Sequence, residues 1–276
     1  MQRSTSPVEK LQTGTIAVLG VPFDAHASGL RGAAQGPQAI RAALHSPSTN
    51  LSCENGIDLG STSRWRDLGD LQLGHDTQAF AAIEAAVRAC VQRGARVLTW
   101  GGDHSITYPV LRAYAAAYPD LTVLHLDAHP DLYDSYEGNR YSHASPFARI
   151  MEEGLARRLV QLGIRTMNAH QRQQAERFGV EVIEMRAWRP DTALEFGGPL
   201  YVSLDLDCLD PAFAPGVSHR EPGGFSAREV IGILQSVTVP IVGADVVELN
   251  PTQDPLGITA MLAAKLSKEL LACLLE

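Results

Sequence analysis

No stretch of this sequence approaches the roughly 18 consecutive apolar residues that a membrane-spanning helix needs, so no membrane partner is expected. Cysteine is scarce as well. There are four, Cys53, Cys90, Cys208 and Cys273, and none sits in a CxxC pair. That excludes a zinc knuckle or a dense disulfide framework and points to reduced, mostly buried thiols. Positive charge is in deficit: 23 Lys and Arg stand against 31 Asp and Glu, for a net charge of −8. A nucleic-acid partner needs clustered basic side chains, so none is expected either. Residues 1–10 lack the apolar core of a secretory leader, and the expected location is cytoplasmic. No repeat, low-complexity tract or linker divides the chain, so a single domain over 1–276 is expected.

Hydrophobic residues make up 45% of the chain, ample for one large core. Short β-rich runs alternate with helical stretches. Strands are predicted over 15–21, 96–100, 121–126, 158–163, 201–206 and 241–249. Helices are predicted over 37–44, 79–92, 105–117, 226–235 and 259–275, with 46–76 irregular. Pro37 falls where a helix start tolerates it, and Gly94 falls just past a helix end. Such alternation predicts βαβ units, hence an α/β fold with three αβα layers and a mostly parallel sheet. Ligands of such folds bind beyond the carboxyl ends of the strands.

The residues that carry chemistry follow those strands. Gly101-Gly102-Asp103-His104-Ser105 succeeds the 96–100 strand, and Asp127-Ala128-His129-Pro130-Asp131 succeeds 121–126. The 201–206 strand runs into Asp205-Leu206-Asp207-Cys208-Leu209-Asp210, and 241–249 carries Asp245 and Glu248. Residues two apart on an extended chain point the same way, so Asp127 can share a target with His129, and Asp205 with Asp207. Pro130 can turn the chain so that Asp131 returns to that point, and the Gly-Gly turn lets the backbone bearing His104 approach closely. Several carboxylates buried together cannot all stay ionised, because desolvation and like charges raise their pKa values. Metal ions resolve the conflict. One ion could take His104, Asp127, Asp131 and Asp205; a second could take Asp127, His129, Asp205 and Asp207, with Asp127 and Asp205 bridging. Mostly oxygen ligands with one imidazole each suit Mn²⁺, with Ni²⁺, Co²⁺, Fe²⁺ and Zn²⁺ as alternatives. Taken singly, a His at a helix start is usually a cap and a DxD after a strand is usually turn chemistry. Their joint occurrence at successive strand ends carries the argument.

GGDHS, DAHPD and SLDLDCLDP resemble the three metal-binding signatures of the ureohydrolase superfamily, which includes arginase, agmatinase, formiminoglutamase and guanidinobutyrase. The resemblance runs from Gly20-Val21-Pro22-Phe23-Asp24 to the final helix. It implies an arginase-like αβα fold around an eight-stranded sheet, two Mn²⁺ per subunit on the six residues above, and a homo-oligomer, a trimer or hexamer. The segments 127–150, 210–224 (DPAFAPGVSHREPGG) and 243–251 (GADVVELNP) most resemble the plant-type arginase branch.

On that resemblance the chain is read as a hydrolase that cleaves the guanidino group of L-arginine to urea and L-ornithine. Agmatine, or another small guanidino compound, is the alternative substrate. Metal ions that lower the pKa of water toward about 7 supply a nucleophile for the guanidinium carbon. Glu248 is implied as the carboxylate that binds the planar guanidinium. His143, in Ser142-His143-Ala144-Ser145, is implied as the proton shuttle, and Asp131 completes the catalytic set. Asp103 and Asp210 are read as groups that orient ligands. Asn139 and Ser142, on the 133–142 loop, are expected to hold the far end of the substrate. Asn168 stands where animal arginases carry an acidic residue for the α-amino group. Ala144-Ser145 stands where agmatinases carry Gly-Thr. A single-metal deacetylase of related topology fits less well, because both DxHxD and DxD are present. A non-catalytic binding protein fits less well, because none of the six ligands is missing.

Overall fold

The computed structural model of the chain describes residues 7–74 and 78–276. Residues 1–6, part of the segment read for a leader, and 75–76, part of the stretch read as irregular, lie outside the described residues. In chain order the main elements are β1 (Ile16–Val21), α1 (Gly36–Leu44), β2 (Trp65–Asp70), α2 (Gln78–Val91), β3 (Arg96–Gly101), α3 (Thr107–Tyr114), β4 (Thr122–Leu126), α4 (Pro146–Glu152), β5 (Arg158–Ile164), α5 (Ala169–Phe178), β6 (Glu181–Glu184), β7 (Leu200–Asp205), α6 (Ala227–Ser236), β8 (Ile241–Val247) and α7 (Ile258–Leu275).

The strands form one eight-stranded sheet in the order β2-β1-β3-β8-β7-β4-β5-β6. Every pairing is parallel, so the sheet is wholly rather than mostly parallel. The six inner strands are buried almost throughout, without alternation, because both faces are covered. Ile16 and Val18 of β1 join a core shared with α1, α6 and α7, while Ala17, Leu19 and Val21 join a second core beneath α2, α3, α4 and α5. The fold is therefore three αβα layers.

Two strands and two helices escape the sequence pattern. β2 (WRDLGD) and β6 (EVIE) are the edge strands and are only partly buried, so they lack the apolar runs that mark the central strands. α5 (AHQRQQAERF) is polar along most of its length and declares itself mainly at its ends, with a capping box from Asn168 and Gln171 and Gly179 at its C-cap. α4 spans only seven residues.

The topology matters most at the centre. β3, β8, β7 and β4 are consecutive neighbours, and all four carboxyl ends face the same edge. Close packing holds the turn after β3. A Cβ at Gly102 would meet the Phe23 carbonyl oxygen at 1.9 Å, and that oxygen also accepts the Asp103 amide at 2.9 Å. Gly102→Ala must therefore push two backbone segments apart. It should cost on the order of 3 kcal/mol, read as a lowered urea midpoint, and an unchanged midpoint would contradict this packing.

Candidate metal centre and active-site cleft

His104 lies in a short turn after β3, and its fully buried ring is at the centre of one group. Its Nδ1 is 3.1 Å from Asp127 Oδ2, 3.2 Å from Asp131 Oδ2 and 3.1 Å from Asp205 Oδ2. The far side of the ring explains this orientation. Ser203 Oγ donates to Asp245 Oδ1 at 2.8 Å, so it can accept His104 Nε2–H at 3.0 Å. Nε2 then holds the hydrogen, and the Nδ1 lone pair faces three carboxylate oxygens. No hydrogen bond satisfies that buried Nδ1.

A second group adjoins the first. His129 Nδ1 is 3.0 Å from Asp207 Oδ2 and 3.4 Å from Asp127 Oδ1. Asp127 thus spans both groups, one oxygen to each. The backbone braces the carboxylates: Asp127 Oδ1 accepts the His129 amide at 2.6 Å, Asp205 Oδ1 accepts the Asp207 amide at 2.7 Å, and Asp207 Oδ1 accepts the Ala128 amide at 3.1 Å. All six residues read from strand-end spacing converge. Asp205 makes its described ring contact with His104 alone, so the spanning role falls more clearly on Asp127 than on Asp205.

The electrostatics call for cations. Burial, then the charge of Asp127, pushes Asp131 up to about 7. Burial and the neighbouring aspartates also raise Asp205 and Asp207. Burial would raise Asp127 too, but the imidazoles of His125, His104 and His129 hold it low. Burial works against charge on His129, yet Asp207 and Asp127 lift it to about 12, and the three carboxylates around His104 likewise lift it well above its ordinary value. Protons are thus drawn to the two points where ring nitrogen and carboxylate oxygens meet. An unpartnered buried nitrogen ringed by oxygens fits a divalent cation of the Mn²⁺ type.

Both groups open on a cleft of about 340 Å³. Glu248 forms part of its wall, just beyond β8 and at φ 66°, left-handed backbone that a non-glycine residue rarely adopts. Its Oε1 accepts the His104 amide at 2.8 Å and His143 Nδ1–H at 2.8 Å. Burial opposes its charge, but His143 and the His104 amide keep its pKa low. Across the His143 ring, Nε2 accepts the Ser28 amide at 3.0 Å and lies 2.7 Å from Ser28 Oγ. Burial opposes charge on this ring as well, and Glu248 overrides it, raising His143 to about 9. In the neutral ring Nε2 accepts from the Ser28 amide; in the charged ring Ser28 Oγ is the acceptor within reach of the Nε2 hydrogen.

Asp103 caps the His104 turn, accepting the Ser105 amide at 3.0 Å and the His26 amide at 3.0 Å. Asp210 lies away from the ion groups and accepts the Ala212 and Gly223 amides at 2.9 and 2.7 Å, closing the loop that follows β7. Asn139 and Ser142, expected at the mouth, do not line the cleft. The Asn139 amide is spent on His26 Nδ1 and the Tyr141 amide, both at 2.9 Å, and Ser142 is buried with its Oγ accepting the Ala144 amide at 3.3 Å. Asn168 caps α5 and donates to the Tyr133 hydroxyl at 2.6 Å.

Comparison with known proteins agrees with this geometry. The model of the Arginase family matches residues 14–273. The chain belongs to the arginase family. It is 47% identical to Arginase 1, mitochondrial, of Arabidopsis thaliana, over 93% of this chain and 80% of that protein. It is 36% identical to an agmatinase of Neisseria meningitidis, over 92% of this chain and 85% of that protein. The solved structure of arginase from Medicago truncatula superposes with a TM-score of 0.87 at 43% identity, covering 94% of this chain and 87% of that one. These comparisons overturn the cytoplasmic expectation. Arginase 1 of Arabidopsis thaliana and of Oryza sativa is named mitochondrial, and Arginase 2 of Arabidopsis thaliana chloroplastic/mitochondrial. The expectation rested on a missing apolar leader core, which bears on secretion, whereas organelle transit peptides are amphipathic and rich in Arg and Ser.

Sequence reasoning missed three residues in this arginase-family site. His125, two before Asp127 and so on the same face of β4, contacts Asp127 Oδ2 through Nε2 at 2.7 Å. Its Nδ1 accepts from Gln161 Nε2 at 3.0 Å, so Nε2 carries the hydrogen and positions the carboxylate rather than offering a lone pair. Burial drops His125 to about 4, keeping it neutral. Ser203, two before Asp205, sets the His104 ring as described. Arg165 is the third. Its guanidinium donates to the carbonyls of Asp207 (2.7 Å), Cys208 (3.2 Å), Leu209 (3.3 Å), Gly163 (3.2 Å) and Glu221 (2.6 Å). Its own amide donates to the Ala128 carbonyl, between Asp127 and His129, at 2.9 Å. The period of two could have flagged His125 and Ser203; nothing in the sequence marks Arg165.

Two outcomes follow. The surrounding carboxylates favour protons at His104 and His129 when no cation is bound, so a divalent cation must compete with protons there: its affinity should rise with pH and its binding should release protons. Calorimetry in two buffers of different ionisation enthalpy measures this, and an affinity flat from about pH 6 to 8 would count against it. Arg165→Ala should loosen the Asp207 segment and weaken divalent-cation binding at the His129–Asp207 group at least about tenfold while leaving any binding at the His104 group unchanged. A cation titration indistinguishable from that of the wild type would remove Arg165 from this role.

Proposed function

We propose that the protein hydrolyses L-arginine to L-ornithine and urea with two Mn²⁺ ions per subunit, within one domain spanning 1–276. The carrying observation is the pair of imidazole–carboxylate groups that share Asp127 at the head of a cleft walled by Glu248. The stronger likeness to plant arginases than to agmatinases favours arginine over agmatine. His104, Asp127, Asp131 and Asp205 would hold one ion, and Asp127, His129, Asp205 and Asp207 the other. When bound, such a pair supplies the Lewis acidity that makes water a nucleophile near neutral pH.

The protein's own groups do the rest. Glu248 Oε1 is engaged by the His104 amide and His143, while Oε2 meets no donor among the described residues and can accept from the guanidinium. Holding that planar cation against a fixed carboxylate orients its carbon toward the ion groups. The atoms balance simply. Water gives its oxygen to the guanidinium carbon, the bond from that carbon to the substrate's alkyl nitrogen breaks, and both water protons end on the leaving amine. His143 is poised to pass a proton, with Glu248 at Nδ1 and Ser28 Oγ at Nε2. Asp131 also lines the cleft, and its part in the reaction would be exerted through the ion it helps to hold.

Glu248→Ala should leave Mn²⁺ binding within a few-fold of wild type, since no ring nitrogen of the ion groups touches it. It should cost about 3 kcal/mol of transition-state stabilisation, roughly a hundredfold in kcat/KM for every guanidino substrate. Activity within a few-fold of wild type would remove Glu248 from this role. The substrate itself is tested by urea release from arginine and agmatine under Mn²⁺, where a tenfold preference for agmatine would overturn arginine but leave guanidino hydrolysis standing.

A further inference from the structure

The 210–224 loop has a fixed backbone and two uncommitted side chains. Asp210 ties the Ala212 and Gly223 amides. Ser218 Oγ donates to the Leu30 carbonyl at 3.0 Å and accepts from Asn250 Nδ2 at 2.9 Å. Arg220 donates to the Pro215 carbonyl at 2.7 Å and to Gln253 Oε1 at 2.8 Å. The Glu221 carbonyl accepts twice from Arg165, at 3.1 and 2.6 Å. Residues on both sides of His219 are thus anchored, while His219 and the exposed Glu221 line the cleft. Neither His219 ring nitrogen hydrogen-bonds a described residue, and the Glu221 carboxylate enters no ion pair among them.

His219 stands about one ring's width from both His143 and His129. Its centroid is 5.3 Å from that of His143 and 5.9 Å from that of His129. An extended arginine side chain places its α-carbon roughly 6 Å from its guanidinium carbon, by ordinary bond lengths. The α-substituents would therefore arrive at the outer cleft, where other polar groups are already engaged. Thr166 Oγ1 donates to the Ala128 carbonyl, and Gln171 Oε1 accepts the Asn168 amide in the α5 capping box. On the 210–224 side of the cleft stand an imidazole that can donate and a carboxylate that can accept.

We propose that His219 and Glu221 determine specificity by reading the amino-acid head of the substrate, His219 donating to the α-carboxylate and Glu221 accepting from the α-ammonium. This rests on the arginine reading above. A site built for that carboxylate leaves the His219 donor unpaired when agmatine, which lacks it, is bound.

Three substrates separate the two contacts: L-arginine carries both groups, agmatine only the ammonium and 5-guanidinopentanoate only the carboxylate. With Mn²⁺-loaded enzyme, His219→Ala should lose at least about tenfold more kcat/KM on arginine and 5-guanidinopentanoate than on agmatine, chiefly through KM. His219→Asn, which keeps a side-chain N–H, should recover part of that loss. Glu221→Gln should lose more on arginine and agmatine than on 5-guanidinopentanoate. Equal losses on all three substrates, or none, while wild type prefers arginine, would overturn the assignment and leave the arginine reading intact. A wild type that prefers agmatine tenfold would overturn the arginine reading and the His219 contact with it.

Discussion

Four aspartates driven together inside a protein repel one another, and the organisation of this molecule answers to that repulsion. Asp127, Asp131, Asp205 and Asp207 are buried around two imidazoles. Without a compensating charge, three of them rise toward the protonated form while the two ring nitrogens collect protons. That is an arrangement tuned for something other than its own stability. Backbone amides of His129, Asp207 and Ala128 offset part of the cost, each donating to one of these carboxylates. The remainder is open to divalent charge, which couples the site's integrity to ion binding.

A wholly parallel sheet is what makes such a gathering possible. Every strand delivers its carboxyl end to the same edge, so residues far apart in sequence need only follow their strands to meet. The order β3-β8-β7-β4 puts the four acid-bearing ends side by side. Glycines then let those ends close in. The turn at Gly102 abuts the Phe23 carbonyl, and Gly224 sits where a Cβ would meet the Cys208 carbonyl at 2.6 Å and Arg165 at 2.7 Å. Arg165 binds the carbonyls of the β7 loop to that of Glu221, so the ion-bearing segment and the outer wall of the cleft share one clamp.

Legibility in the sequence followed burial and periodicity. The six central strands are continuous apolar runs, and the acids after them stand out against that background. β2 and β6 were not legible, because an edge strand half open to solvent needs no apolar run. At the site, the period of two brought Asp127 to His129 and Asp205 to Asp207. It did not rank the strands by neighbourhood, which depends on crossovers rather than on local pattern. Nor could it tell which polar residues on the 133–142 loop face inward. Asn139 turns to His26, a partner over a hundred positions away, and that single hydrogen bond removes it from the cleft. Clamps such as Arg165 act on backbone carbonyls, which carry no residue identity and so leave no trace in the sequence.

Backbone strain adds a last constraint. Asp131 at φ 49° and Glu248 at φ 66° are two of the three non-glycine residues with positive φ among the described residues. Such conformations cost about 1–3 kcal/mol each and persist only where surroundings over-determine them. Glycine would relieve both, yet it has no carboxylate. The surroundings supply what is needed: the Glu248 amide donates to the Gly102 carbonyl at 2.9 Å, and its Oε1 is held by the His104 amide and His143. The strain bends the chain at the end of β8 so that a carboxylate which continued extended backbone would aim elsewhere turns into the cleft. His143, Glu248 and His104 are thereby joined in one hydrogen-bonded chain from cleft wall to ion group. A guanidinium held on Glu248 is therefore positioned by the same backbone that positions His104, which ties substrate orientation to the geometry of the ion site without any residue needing to touch both.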